Sequence, residues 1–322
     1  MRKIGCIGMI VALAAIIALF GLVQSWGGPG PAKRTTTVLI RDGETLSDAS
    51  RDLEKAGAIR SARRFVLLAK LLGSSASIKA GEYRIPAHLS QSDILRMMQG
   101  GETLRRLVTI PEGMPSVMVY DRLMAAKGLR GTIAVPAEGS VLPDTYEYER
   151  DDTRASVLGR MQAAMKRYLA QAWAKRAPNL AVTTPAEAVT LASIVEKETA
   201  KPEERAMVAG VYMNRLRAGM PLQADPTIIY PITKGRALGR RIRESEVRAK
   251  NAYNTYSMTG LPAGPICNPG RKSIDAVLHP ATTKALYFVA DGKGGHVFAD
   301  TLEQQNANVA KWYAIRRARG EM

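Results

Sequence analysis

The segment "TTPAEAVTLASIVEKETAKP" (residues 183–202) has the marks of a helix laid over a buried surface. Thr184 is a candidate N-cap, Pro185 suits the first helical position, and Glu187 stands three residues after the cap, the order expected at a helix start. Pro202 limits how far the helix can run. At about 100° per residue, Val195, Ala188 and Ile194 all fall within about 60° of Leu191 and form one apolar stripe. Glu198 falls about 20° from Leu191, inside the stripe, whereas Glu196 falls about 140° away, on the side of Ser193. A carboxylate held in an apolar stripe is costly unless it is paired, hydrogen-bonded or protonated, and desolvation raises its pKa. A raised pKa is what a general acid needs near neutral pH. The same pattern also allows a helix that ends near Thr199 or Ala200 and turns Glu198 out to water. Periodicity alone does not separate the two readings, and Glu196 stands as the rival acid.

Around this segment the chain reads as helices with a few short strands. From Thr153 to Lys175, Val157, Met161, Met165 and Leu169 recur every four residues and predict a core-facing helix, not a cofactor box. "LRRLVTI" (104–110) reads as a strand, "PEGMPSVMVYDRLMAAKG" (111–128) as a helix stopping at Gly128, and "EGSVLPDTYEYER" (138–150) as a structured loop holding Pro143 and Tyr146. Two further helical stretches are expected to flank "MPLQADPTIIY" (220–230). "ALYFVADGKGGHVFAD" (285–300) reads as a hairpin with "GKGG" at its turn, and Thr301 and Gln304 have capping-box spacing at the start of a last helix. Segregated helices and short strands without βαβ alternation make this an α+β protein.

The N-terminal part has a different character. "IGCIGMIVALAAIIALFGLV" (4–23) holds no charge over a length that suits a bilayer core about 30 Å thick. With Arg2 and Lys3 before it, the run predicts an uncleaved, single-pass signal anchor in the bacterial cytoplasmic (inner) membrane, N-terminus in the cytoplasm and the remainder on the periplasmic side. Cys6 and Cys267 then lie on opposite sides of the membrane and form no disulfide within one molecule. "SWGGPGPAKRTTT" (25–37) reads as a linker. Beyond it come a short strand, a turn at Asp42 and Gly43, helices from about Leu46 to Gly57 and from Ala62 to Leu72, a strand "GEYRI", and a capped helix ending at Gly100 and Gly101. The expected organisation is residues 1–25 as cytoplasmic N-terminus and transmembrane helix, 26–36 as linker, 37–100 as a small α/β subdomain, and 101–322 as a larger mixed α+β domain.

Lys and Arg outnumber Asp and Glu by 46 to 29, for a formal net charge of +17. Such a balance suits nucleic acid, an anionic membrane surface or an acidic polymer; the expected location outside the cytoplasm argues against nucleic acid. His88, His279 and His296 lack HExxH spacing and no Cys/His cluster has zinc-site spacing, so neither a metal nor a cofactor is expected. No G-x-S-x-G elbow is present, and "GKGG" lacks the rest of a P-loop. What remains is one candidate acid and two loops, "NRLRAGMPLQADPTIIY" and "NAYNTYSMTGLPAGPICNPG", rich in the amides, carboxylates and aromatic rings that sugar sites use. That combination points to glycan cleavage.

Two resemblances sharpen the reading. "VLIRDGETLSDAS" (38–50) resembles the opening of LysM-like modules, from which a two-helix insertion departs; the resemblance implies a wall-facing unit that binds N-acetylglucosamine-containing glycans or only positions the next domain. "LASIVEKETA", "VYMNRL", "MPLQADPTIIY", "YNTYSMTGLPAGPICNPG" and "LYFVADGKGGHVF", in that order, closely resemble the YceG-like endolytic murein transglycosylases over nearly the whole chain. The resemblance implies a lyase that cleaves the β-1,4 bond between N-acetylmuramic acid and N-acetylglucosamine in nascent glycan strands, leaves 1,6-anhydromuramoyl ends, and works alongside peptidoglycan synthases. It makes Glu198, the second glutamate of "EKE", the catalytic acid. It also makes Asn214, Gln223, Asp225, Tyr230, Tyr253, Asn254 and Tyr256 candidates for lining the sugar cleft. A wall-binding scaffold and a hydrolytic muramidase are the alternatives.

Overall fold

The computed structural model describes residues 2–74 and 76–321. Its chain divides into two compact units, residues 1–106 with 148–151 and residues 107–147 with 152–322.

The first unit opens with α1 (Arg2–Gly27), followed by β1 (Thr36–Ile40), α2 (Leu46–Lys55), α3 (Ala62–Leu72), β2 (Gly81–Ile85) and α4 (Gln91–Gly100). β1 and β2 are antiparallel, with Val38 opposite Tyr83 and Ile40 opposite Gly81. The alternation of β1 sends Val38 and Ile40 inward, where they meet Leu53, Phe65, Tyr83, Ile94 and Met98 in one core. Thr45 and Asp48 close a capping box on α2, while Ser61 and Ser90 cap α3 and α4. Residues 26–36, expected as a linker, are tied down at their start. The buried Trp26 ring lies 5.8 Å from Phe65, Gly30 N donates to His88 O, and His88 N donates to Ala32 O. Among the described residues no helix is long and apolar enough to cross a membrane. The side chains of residues 1–8, 10–12, 15, 18 and 19, Cys6 among them, fall within the expected anchor and lie outside the described residues. Of the α1 side chains that are described, Trp26 is buried and Met9, Leu13, Ile16, Ile17, Phe20 and Val23 are exposed.

The second unit holds β3 (Arg106–Thr109) but for its first residue, α5 (Ser116–Ala125), β4 (Thr145–Tyr148) but for its last, α6 (Arg154–Ala174), α7 (Pro185–Glu198), α8 (Arg205–Arg217), α9 (Asp225–Thr233), the short α10 (Glu244–Val247), α11 (Arg271–Leu278), β5 (Tyr287–Ala290), β6 (His296–Ala299) and α12 (Leu302–Ala318). Tyr146, expected in a loop, is in β4, which pairs with β3; Thr109 and Thr145 share a hydroxyl hydrogen bond at 2.9 Å beside that ladder. "MPLQADPTIIY" is not merely flanked by helices, because α9 begins inside it at Asp225. β5 and β6 form the expected hairpin, turned over residues 291–295 with Gly292 and Gly294 at positive φ. At the start of α12, Thr301 accepts from Gln304 N as the spacing predicts, but the Gln304 side chain accepts from Asp300 N, one residue before the cap.

α7 is the axis of this unit and packs against α6, α8, α9 and α11. Its start is as the sequence predicts, a capping box between Thr184 and Glu187 with Pro185 at the first position. Its polar side is not a solvent side. Residues Ala188 to Val195 are buried all round, and Ser193 is satisfied internally: its hydroxyl donates to Thr190 O and accepts from Ile266 N. Val157, Met161 and Met165 of α6 are buried, as core packing. Gly210 lets α8 approach the chain at Ala281 closely, since a Cβ there would stand 2.6 Å from Ala281 O. That contact holds the segment leading into β5.

Candidate active site

α7 ends at Glu198, and Thr199 follows in extended conformation. The carboxylate nevertheless does not turn out to water. Its Oε2 is buried and has no hydrogen-bond partner among the described residues. Burial pushes the pKa up to about 7, the nearby Asp225 carboxylate adds to the rise, and the Tyr212 hydroxyl and Arg215 guanidinium oppose it. Tyr212 is itself buried, which keeps its hydroxyl protonated far above neutral pH. Glu196 behaves differently. One of its oxygens accepts from Arg205 Nη2 at 3.2 Å and the other from Gly270 N at 2.9 Å. Of the two glutamates, Glu196 is consumed by structure and Glu198 keeps an open oxygen.

Glu198 lines a cleft of about 450 Å³, as do Gln223, Asp225 and Tyr256. Arg215 of α8 builds the wall between them. Its Nε donates to Leu286 O at 2.7 Å, and its Nη1 donates to Pro221 O, Leu222 O and Gln223 Oε1 at 3.1, 2.9 and 3.2 Å. Gln223 sits at φ 54°, a left-handed conformation that costs free energy for a residue with a side chain. Besides the Arg215 bond, its N–H donates to Thr255 O at 3.1 Å, which fixes the strained turn. Asp225, first residue of α9, accepts from Tyr256 hydroxyl at 2.6 Å. The pair orients the acid whose charge Glu198 feels.

The other candidates lie elsewhere. Asn214 donates to Thr283 O and Ala285 O at 2.9 and 3.0 Å and pins α8 to the chain before β5. Asn254 is fully buried and its amide donates to Glu246 O, Val247 O and Ala249 O. Tyr230 donates to Glu138 Oε2 at 3.2 Å, and its ring lies 4.8 Å from that of Tyr253. Tyr230 lines a separate cavity of about 460 Å³ that also involves Met114, Met118 and Lys197. The structure therefore gathers Glu198, Gln223, Asp225 and Tyr256 in one cleft and leaves Asn214, Tyr230, Tyr253 and Asn254 outside its lining.

Sequence reasoning missed Arg215, His296 and the α12 side chains that close the cleft opposite Glu198. Arg215 stands within "VYMNRL", where a cation in an otherwise buried helix was an available signal. His296 is held by Glu204, whose Oε2 lies 2.7 Å from His296 Nδ1 and whose Oε1 accepts from the His296 backbone. Burial alone would raise the Glu204 pKa, but these bonds and one from Thr199 leave it lowered. On α12, Gln305, Val309, Trp312 and Arg316 line the cleft at i, i+4, i+7 and i+11, a helical stripe readable in principle. A carboxyl that keeps its proton near neutral pH, on a residue that lines a cleft walled by polar groups, is suited to deliver that proton to a bound acceptor.

The model of the YceG-like family matches residues 38–311. A relative from Streptococcus pneumoniae named endolytic murein transglycosylase is 30% identical over 330 residues, which take in 87% of this chain and 59% of the relative. One of the same name from Bacillus subtilis is 26% identical over 317 residues, 88% of this chain and 87% of the relative. The chain thus spans 59% of the length of the pneumococcal relatives it matches. The crystal structure of a YceG-like protein from Listeria monocytogenes aligns with a TM-score of 0.54 at 28% identity, over 86% of this chain and 99% of that one.

Proposed function

The chain belongs to the YceG-like family, and from that premise we propose that it is an endolytic peptidoglycan transglycosylase with Glu198 as its acid. The reading is carried by one observation: a buried carboxyl, one oxygen of which has no partner among the described residues and whose pKa is pushed up to about 7, belongs to a residue that lines a polar cleft. Relatives named endolytic murein transglycosylase support the substrate class.

In this reading the protonated Glu198 donates to the glycosidic oxygen between N-acetylmuramic acid and N-acetylglucosamine as the bond to C1 breaks. Positive charge develops at the muramyl C1 and ring oxygen, and the Asp225 carboxylate that Tyr256 orients is the cleft's negative group to offset it. The Glu198 carboxylate then takes the proton of the same sugar's 6-hydroxyl while that oxygen bonds to C1. The products are a chain with a new N-acetylglucosamine hydroxyl and one with a 1,6-anhydromuramoyl end. No water is consumed and Glu198 regains its proton. Glycosidases that use water need a second carboxylate as base or nucleophile. Asp225 is the cleft's candidate for that role; the relatives named endolytic murein transglycosylase favour the internal nucleophile.

The same proposal anchors the protein in the bacterial cytoplasmic membrane with the catalytic unit outside. The uncharged run from Ile4 to Val23 and the exposed apolar side chains of α1 support this. Glycan binding by the first unit, as a LysM-like module, is supported by a cavity of about 520 Å³ lined by Glu44, Thr45, Lys70 and Gln99. Work beside peptidoglycan synthases rests on the family resemblance. The test is mass spectrometry of uncrosslinked glycan strands incubated with wild type, Glu198→Gln and Glu196→Gln. Anhydromuramoyl ends from wild type and Glu196→Gln, and none from Glu198→Gln, are expected. Reducing ends would identify a muramidase, and no products from folded protein would identify a scaffold.

A further inference from the structure

α12 contributes more to the cleft than a wall. Gln305 donates its amide to Phe288 O at 3.0 Å, which fixes the side chain, yet its Oε1 is buried and has no partner among the described residues. Glu198, which lines the same cleft, has its Oε2 in the same condition. A buried acceptor left open costs free energy in the empty site and recovers it when a ligand supplies a donor. Two turns further on, Trp312 lines the cleft, and Arg316 lies over its ring at 6.0 Å. Arg316 is held by Glu321, whose Oε2 is 3.6 Å from its Nε and whose carbonyl accepts from its Nη2 at 3.3 Å. A pair of that length and exposure is weak and exchanges readily for another carboxylate. Trp312 and Arg316 also lie past residue 311, where the match to the family model ends.

We propose that α12 forms a subsite for the N-acetylmuramic acid ring. Gln305 accepts from the acetamido N–H or a ring hydroxyl, Trp312 covers the pyranose, and Arg316 pairs with a carboxylate borne on the 3-O substituent. The proposal rests on the glycan-cleaving reading. It adds the means by which the cleft tells a muramyl residue from a plain N-acetylglucosamine: an aromatic face and an amide serve both sugars, whereas a guanidinium serves only the one that carries an acid. The carboxylate has two sources, the lactyl group itself when no peptide is attached and the acidic side groups of the stem peptide when one is.

The experiment measures binding to the full chain in detergent, carrying Glu198→Gln so that ligands stay uncut. Three ligands are compared: peptide-bearing glycan strands, strands stripped of stem peptides, and an N-acetylglucosamine tetramer. Adding Arg316→Gln is expected to weaken binding of the muramyl strands about tenfold and leave the tetramer unchanged. A loss on stripped strands assigns the lactyl carboxylate, and a loss confined to peptide-bearing strands assigns the peptide. Arg316→Lys should restore part of the loss. Gln305→Leu, checked for folding by its circular dichroism, should weaken all three ligands. Unchanged muramyl affinity in Arg316→Gln, or an equal loss on the tetramer, overturns the proposal. Wild-type cleavage is scored separately. Anhydromuramoyl ends without differential binding would remove the subsite and keep the lyase, and differential binding without such ends would do the reverse.

Discussion

Replacing Asp225 with Asn tests how the cleft sets the proton affinity of Glu198. The rise from 4.5 to about 7 amounts to about 3 kcal/mol in favour of the protonated carboxyl. Burial is the largest cause and the Asp225 charge the next. Asn keeps an oxygen that can accept from Tyr256, so the 2.6 Å hydrogen bond survives while the charge goes. Removing a negative neighbour favours the ionised form, and the Glu198 pKa should fall by about one pH unit, or about 1.4 kcal/mol. At pH 7.5 the protonated fraction would drop from roughly a quarter to roughly 3%. The assay is kcat/KM for formation of anhydromuramoyl ends between pH 5 and 9. Wild type should lose activity above about pH 7, and Asp225→Asn should begin that loss about one unit lower. The height of the acid plateau is not the readout, because Asp225 also faces the charge that develops at C1. An alkaline limb that stays in place or moves to higher pH would refute the assignment of Glu198 and Asp225 to one electrostatic unit.

Glu198 also links activity to stability. Its folded pKa lies above the unfolded value of about 4.5, so its favourable contribution is present below pH 4.5 and is lost as pH rises through about 7. Glu198→Gln should therefore be more stable than wild type by up to ~3 kcal/mol above pH 8, with the difference fading toward pH 5; denaturant midpoints at the two pH values check this, and equal differences would contradict it. Glu196→Gln should leave the alkaline limb of the activity profile where it is and lower stability by about 3 kcal/mol. The reason is that Arg205, with 9% side-chain exposure, would keep only Glu112 at 3.6 Å. Asn254→Ala removes the donor to Glu246 O, Val247 O and Ala249 O. Thermal melting should show a loss of about 1–3 kcal/mol, while KM for glycan strands in the folded fraction stays within twofold.

The sequence made helix starts and the hairpin legible because those rest on neighbours. Thr184 with Glu187, Pro185 at the first position, and the glycine turn at 292–295 all act over a few residues. The methionine stripe of α6 was legible for the same reason. What could not be read was which polar residues spend themselves on the fold. Asn214 and Asn254 belong to amide-rich motifs that suit sugars, yet their donors go to backbone carbonyls at 283, 285 and 246–249. Such a choice depends on which distant carbonyl arrives beside the amide.

Glu196 and Glu198 show the same limit in its sharpest form. Helical phase selected Glu198 on the assumption that α7 has one buried and one wet side, and α7 has no wet side along Ala188 to Val195. Both carboxylates are enclosed, so burial alone does not distinguish them. What separates them is supply: Arg205 and the Gly270 N–H reach Glu196 from α8 and from the chain before α11. Glu198 faces Asp225, Tyr212 and Arg215, and the last has already donated to Leu286, Pro221, Leu222 and Gln223. Arg215 thus lies close enough to moderate the Glu198 charge while its Nε and Nη1 hydrogens are committed to the cleft wall, and the carboxyl keeps its proton. Were Arg215 freed to form a bidentate pair with Glu198, the carboxylate would be stabilised and its use as an acid near neutral pH lost. The backbone carbonyls that occupy Arg215 are therefore as much a part of the proposed acid as the helix that carries it.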